Sequence, residues 1–198
     1  PHSHARIVAT NTKEAARLPG VQAILMGADQ EAAGIVPMEP NVTENFRNGE
    51  PFTYIPQPPL AIDDVRYVGQ PVALVVARTL DQARDAAELI EVDYDPLSAV
   101  TTTEAALRDD GNVVLRWDVG DPTTTDGAFQ GAAHTVKLAL QNHRIITNSI
   151  EPRGCVGHYD AKGDGYTLHV SGQQVHMGRD TVAATLGVEA DRVRVIAP

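Results

Sequence analysis

A chain of 198 residues that is 42% hydrophobic and 21% charged holds enough apolar material for one good core or two modest ones, which excludes a disordered chain. Its 16 basic and 26 acidic residues leave a net charge of -10, which repels phosphate backbones and anionic lipid, so neither nucleic acid nor a membrane surface is expected as a partner. Cys155 is the only cysteine, which rules out an internal disulfide, a cysteine zinc site or an iron-sulfur cluster held by this chain, and no apolar run approaches the roughly 20 residues that cross a bilayer. With no basic-then-apolar leader at its start, the chain is expected to be cytoplasmic.

Ala5 to Ala9 reads as a strand, Asn11 with Glu14 as a capping box, and Lys13 to Leu18 as a short helix that Pro19-Gly20 ends; Val21 to Met26 is an apolar strand. From Ala28 to Leu60 six prolines (Pro37, Pro40, Pro51, Pro56, Pro58 and Pro59) interrupt a polar excursion without regular elements. A loop this long inside a compact domain serves either as a subunit-contact arm or as a mobile segment. Val72 to Ala77 is a β-branched run bounded by Gly69, Pro71 and Arg78, the pattern of a strand covered on both faces. Thr79 and Gln82 form a second capping box, Leu80, Ala83, Ala87 and Ile90 make one apolar stripe on the helix it opens, and Ile90 to Tyr94 alternates until Pro96 stops it. Two such strand-helix-strand units in succession imply an α/β layer.

Thr101 and Glu104 start another short helix ending near Leu107, after which Asp109-Asp110-Gly111-Asn112 and the turn-rich stretch Asp121 to Gly127 mark a linker. Ala132 to Leu140, Cys155 to Tyr159 and Tyr166 to Val170 are strand-like, with Asp160 to Gly165 as a hairpin turn. A helix from about Met177 to Leu186 is stopped by Gly187, and Arg192 to Ile196 is a final strand. This last piece buries little area for its ordering entropy and is expected to be incomplete.

Few side chains stand out chemically. Glu151-Pro152-Arg153 sets a carboxylate beside a cation, a pairing that lowers the acid's pKa and suits a salt bridge or turn better than a general base. His2 and His4 share a strand face without a visible third ligand, His134, His143, His158, His169 and His176 have no motif, and Cys155 reads as a small buried hydrophobe. No G-x-G-x-x-G or P-loop points to a nucleotide enzyme.

The run Tyr67-Val68-Gly69-Gln70-Pro71-Val72-Ala73, the Ala- and Glu-rich helix after it, and Val92-Asp93-Tyr94-Asp95-Pro96-Leu97 closely resemble the α/β hammerhead domain of molybdenum hydroxylase large subunits. That family includes aerobic carbon monoxide dehydrogenases, xanthine dehydrogenases and aldehyde oxidoreductases. Pro1-His2-Ser3-His4-Ala5-Arg6-Ile7 resembles its early strand, and Glu151-Pro152-Arg153-Gly154 resembles the opening of its molybdopterin-binding region, in the form most like chains grouped with carbon monoxide dehydrogenase. The resemblance implies an α+β fold: a hammerhead domain over residues 1–107, a linker over 108–130, and an incomplete α/β start of the molybdopterin-binding domain over 131–198.

It further implies molybdopterin, in its cytosine dinucleotide form, as cofactor of the full subunit, with an iron-sulfur small subunit and an FAD medium subunit as partners. Carbon monoxide, an aldehyde, a purine or an N-heterocycle would be the small-molecule substrate. In the family a glutamine between a strand and a helix donates a hydrogen bond toward the molybdenum centre. Leu168-His169-Val170-Ser171-Gly172-Gln173 resembles that strand, which gives Gln173 the role, with Gln174 as the adjacent alternative because a one-residue shift turns the opposite side chain to the site. An amide suits the task as a neutral donor that does not titrate.

The family's glycine-rich turn and glutamate base lie beyond the strand that resembles Arg192 to Pro198, so this piece is expected to be a catalytically silent front portion with no catalytic residue and no metal ligand of its own. The alternative, from another class, is a free-standing assembly or binding module built on the hammerhead. A generic ligand-binding domain would instead need a closed pocket within residues 1–107, and no convergent polar cluster for one is visible there.

Overall fold

The computed structural model describes residues 1–38, 40, 53–108, 113–116, 120–143, 145 and 148–197. The elements run β1 (Ala5–Asn11), α1 (Lys13–Ala16), β2 (Val21–Met26), α2 (Gly27–Ala32), β3 (Thr53–Tyr54), β4 (Asp64–Val65), β5 (Ala73–Ala77), α3 (Leu80–Glu88), β6 (Glu91–Pro96) and α4 (Thr103–Ala106). They continue with β7 (Leu115–Arg116), α5 (Pro122–Gly131), β8 (Cys155–Asp160), β9 (Gly165–Val170), α6 (Val175–Leu186), a 3-10 turn over Ala190–Arg192, and β10 (Val193–Ile196). Helices and strands in separate small layers make the fold α+β.

The two strand-helix-strand units do not close into parallel pairs. A parallel crossover takes a dozen or more residues, and α1 has only 4. Each unit instead deals its strands to different sheets: β1 pairs antiparallel with β6 and, at its start, with β4, while β2 pairs antiparallel with β5. α3 packs on β5, but that strand is covered on one side only, for Leu74 stays 51% exposed next to its cross-strand partner Leu25. On α3 the fully buried residue is Ala86, while Leu80 of the expected stripe is exposed.

Capping chemistry explains where these helices start. Thr79 accepts a hydrogen bond from Gln82 N at 3.2 Å, but the reciprocal half of that box is missing because the Gln82 side chain lies over Gly20, where a Cβ would come within 2.1 Å of its Oε1. Asn11 accepts from Lys13 N and donates to Glu91, so Glu14 is left to pair with Arg17. At α4 the capping oxygen is that of Thr102, one residue past the expected Thr101.

The described part of the proline-rich excursion is more ordered than its composition suggests. It contains α2 and β3, and the buried Gln30 amide clasps the far end of the excursion: Nε2 donates to Leu60 O at 2.7 Å and Oε1 accepts from Leu60 N at 3.0 Å. Gly27 packs so closely under the same end that a Cβ would sit 2.4 Å from Ala61 O. Ala61 in turn joins Ala5 and Val65 in the buried centre, with Ile7, Val72 and Tyr94 packed around them.

Two expectations for the connecting region fail. Asp121 to Gly127 is no turn, since Asp121 caps the amides of Thr123 and Thr124 and Pro122 takes the first helical position of α5. Ala132 to Leu140 has strand-like alternation but no ladder partner among the described residues, and without one it stays irregular, with Val136, Leu138 and Leu140 turned to solvent.

Candidate functional site

The site grows from one parallel pair. β9 and β10 run parallel, α6 is their crossover, and β8 adds antiparallel along the other edge of β9. Parallel strands joined this way leave a crevice at their carboxyl ends, where the chain turns from strand into helix. Ser171 to Gln174 make that turn, ending with Gln174 in the left-handed region at φ 59 and ψ 54 before Val175 opens α6. The left-handed residue is what turns the chain from the end of β9 into the helix.

A cavity of about 640 Å³ opens at this turn, and Gln173 and Gln174 both line it. Its floor comes from Leu168, Val170 and Val195 of the sheet and from Met177 and Thr181 of α6. The facing wall comes from the proline-rich excursion: Met38, Tyr54, Ile55 and Gln57, backed by Val114 and Leu115. Among the described residues the lining carries no Asp, Glu, Lys, Arg or His; its polar side chains are those of Tyr54, Gln57, Gln173, Gln174 and Thr181.

Backbone bonds hold the wall in place. Met38 bridges Gln57, β3 pairs antiparallel with β7 so that Tyr54 faces Leu115, and Ile55 N donates to Val114 O at 2.8 Å. Val36 N donates to Thr185 O of α6 at 3.1 Å. The described part of the excursion is thus tied by backbone bonds to β7 and to α6.

The other sequence candidates lie elsewhere. Glu151 and Arg153 are exposed and make no ion pair among the described residues, as fits charges that gain little from pairing in water. Cys155 is exposed on β8, not buried. His2 packs against the Tyr94 ring at 5.0 Å, and His4 Nδ1 meets the Ser98 carbonyl at 2.8 Å. Burial raises the Tyr94 hydroxyl pKa above its ordinary value. An open groove of similar size lies against Val72, Ala83, Ala87 and Ile90 of the N-terminal unit, with Gln70, Arg84 and Tyr94 as its polar lining.

Sequence reading did not find Gln30, Gln57 or Met38, because the bonds that place them join positions far apart and leave no local signature. Two family matches together span nearly the whole chain: the aldehyde oxidase and xanthine dehydrogenase a/b hammerhead domain over residues 1–98, and the molybdopterin cofactor-binding domain over residues 107–198. The chain belongs to the molybdenum hydroxylase large-subunit family.

Among its relatives, the carbon monoxide dehydrogenase large chain of Afipia carboxidovorans is 31% identical over 100% of this chain and 26% of its own length. The nicotine 6-hydroxylase large subunit of Paenarthrobacter nicotinovorans is likewise 31% identical, over 100% of this chain and 24% of its own. Of solved structures, quinoline 2-oxidoreductase from Pseudomonas putida 86 matches with a TM-score of 0.77 at 29% identity, covering 100% of this chain and 25% of that one. A Cu,Mo-CO dehydrogenase matches with a TM-score of 0.78 at 31% identity, covering 100% and 26%. This chain thus spans about a quarter of the length of the curated relatives it matches.

The cavity lies where the two matched domains meet, with Met38, Tyr54, Ile55 and Gln57 from the first and Gln173 from the second. Among the described residues no three His, Cys, Asp or Glu side chains gather to hold a metal directly. The neutral amides present instead fit a cofactor that carries its metal on its own pterin, because they can give or accept hydrogen bonds without adding charge.

Proposed function

We propose that these residues form the front of a molybdenum-dependent hydroxylase or dehydrogenase large subunit, with Gln173 presenting its amide to the cofactor. The observation that carries this reading is the place of Gln173, between the end of β9 and the start of α6, on a cavity without charged side chains. Bound molybdopterin, in the cytosine dinucleotide form, would supply two-electron oxidation of the substrate and an exit for the electrons. The part of this chain is narrower: Gln173, exposed at the turn that the left-handed Gln174 closes, donates a hydrogen bond that does not titrate.

The division into residues 1–107, 108–130 and 131–198 belongs to the same reading. So do an iron-sulfur small subunit, an FAD medium subunit and a cytoplasmic location; no described helix is long and apolar enough to cross a membrane. Surface area supports such partners. A self-contained protein of 21.2 kDa exposes roughly 9,000 Å² by the usual scaling, whereas this chain exposes 15364 Å² and, among the described residues, has no large side chain fully buried. The excess is surface for other polypeptide to cover. By itself the chain is expected to be inactive.

The test is expression of the full-length subunit with its partner subunits, followed by metal analysis and assays with carbon monoxide, aldehydes, purines and N-heterocycles. Stoichiometric molybdenum with turnover of one of these supports the reading; a metal-free, inert assembly overturns it.

A further inference from the structure

We propose that Ser3, His4 and Arg66 form a binding site for one small oxyanion that carries a hydroxyl, hydrogenphosphate by class, in a cavity that shares only Val114 with the one lined by Gln173. The inference goes beyond the reading of Gln173 and does not depend on it.

Three observations carry it. First, the cavity has a volume of about 80 Å³ and is lined by Ser3, His4, Arg66, Ala99, Val100 and Val114. At roughly 30 Å³ for each water, that is room for one tetrahedral ion and too little for a sugar or a base. Second, Arg66 has donors to spare. Its Nη2 reaches Asp64 Oδ2 at 3.2 Å, a single long contact, whereas a guanidinium fully engaged by a carboxylate makes two parallel bonds of about 2.7–2.9 Å. Nε and Nη1 are left for a second acceptor, on a side chain only 32% exposed. Third, His4 Nδ1 lies 2.8 Å from the Ser98 carbonyl, which can only accept, so Nδ1 carries the proton and Nε2 is the ring nitrogen open to a ligand. A neutral imidazole offers a lone pair there, which the O–H of hydrogenphosphate satisfies and sulfate cannot. The Ser3 hydroxyl adds one further donor.

Asp64 is the opposing charge and holds the affinity down, to a dissociation constant of about 1 mM, the scale of a few polar contacts without buried apolar area. The net charge of -10 does not prevent binding, because charges farther off than about 8 Å are largely screened at physiological salt while the polar groups of the cavity are in contact with the ion. Since the lining comes from residues 3–4, 66, 99–100 and 114, the ion ties separate stretches of the chain to one another.

The experiment uses the full-length subunit in its assembled enzyme. Inorganic phosphate is titrated by isothermal calorimetry at pH 8, with sulfate as the control, and hydrogen exchange follows residues 97–100 with each ion. Phosphate is expected to bind about fivefold or more tightly than sulfate, by the one hydrogen bond that sulfate cannot make, and to slow exchange at residues 97–100. Arg66→Gln removes the cation, and Val100→Trp fills the cavity without touching a charge; each is expected to weaken phosphate about tenfold or more at unchanged molybdenum content. Ser3→Ala, at an exposed position, keeps the test open should those two fold poorly, with an expected loss of about threefold. No phosphate binding, sulfate bound as tightly as phosphate, or phosphate binding that ignores all three substitutions would overturn the proposal. Gln173→Ala should leave phosphate affinity unchanged whatever it does to kcat; affinity lost in that variant would place the ion in the larger cavity and overturn the site.

Discussion

Gln30 offers the sharpest test of how the cavity wall is held. Its side chain is 9% exposed, and its amide makes both backbone bonds of Leu60, at 2.7 Å to the carbonyl and 3.0 Å from the amide. Gln30→Ala would strand a half-buried N–H and a half-buried C=O, each costing about 1–3 kcal/mol, so with partial rescue by water the loss should be about 2–4 kcal/mol. Gln30→Glu is the discriminating variant. Its ionised carboxylate can still accept from Leu60 N but cannot donate to Leu60 O, and two oxygens would face each other across that bond. The protonated acid restores a donor, so the fold favours the neutral form and raises the folded-state pKa of the introduced Glu. That restored contribution is present below the unfolded pKa and lost as pH rises through the folded one. Urea unfolding at pH 4 and pH 8 should show the gap between Gln30→Glu and wild type widening with pH, and hydrogen exchange should show faster exchange at Leu60 N–H in both variants. A Gln30→Ala loss under 0.5 kcal/mol, or a Gln30→Glu gap independent of pH, would refute the clasp.

Thr79→Ala should cost about 1 kcal/mol by thermal unfolding through loss of the α3 cap. At Gln174, Gly should be neutral or stabilising because it adopts the left-handed region freely, whereas Val should cost about 1–2 kcal/mol by urea unfolding. The hydrogen bond from the Tyr159 hydroxyl to Asp164 at 2.7 Å, with smaller contributions from burial and the carboxylate charge, raises the phenol above its ordinary value. The neutral phenol is thus the form the fold favours: its contribution is complete below pH 10 and lost as pH climbs through the raised value, so Tyr159→Phe should flatten the alkaline limb of a stability profile. Residues 132–140 should become protected from hydrogen exchange in the assembled enzyme, as a strand that has found its ladder; exchange as fast there as in the isolated chain would contradict this.

Legibility in the sequence followed the range of the interaction. Val21 to Met26, the Thr79 cap and the Gly187 stop are local, and the structure places all three where the residues indicate. Strand pairing is not local: the run of Val72 to Ala77 announces a strand but not its antiparallel partner β2, nor that Leu74 would remain exposed. The Val136, Leu138, Leu140 alternation is real as a pattern, yet a strand exists only when another supplies its hydrogen bonds. Gln173 could be singled out only because Leu168 to Gln173 resembles the family's strand before its helix. Its facing wall was not readable, because Val36 reaches Thr185 through backbone atoms alone.

The central claim is that the Gln173 amide works on the cofactor. Steady-state kinetics of Gln173→Ala in the full-length, molybdenum-loaded enzyme tests it most directly, with metal content measured on the same samples. The account predicts unchanged molybdenum and a kcat lower by about 10–100-fold. Wild-type kcat at equal metal content would contradict it.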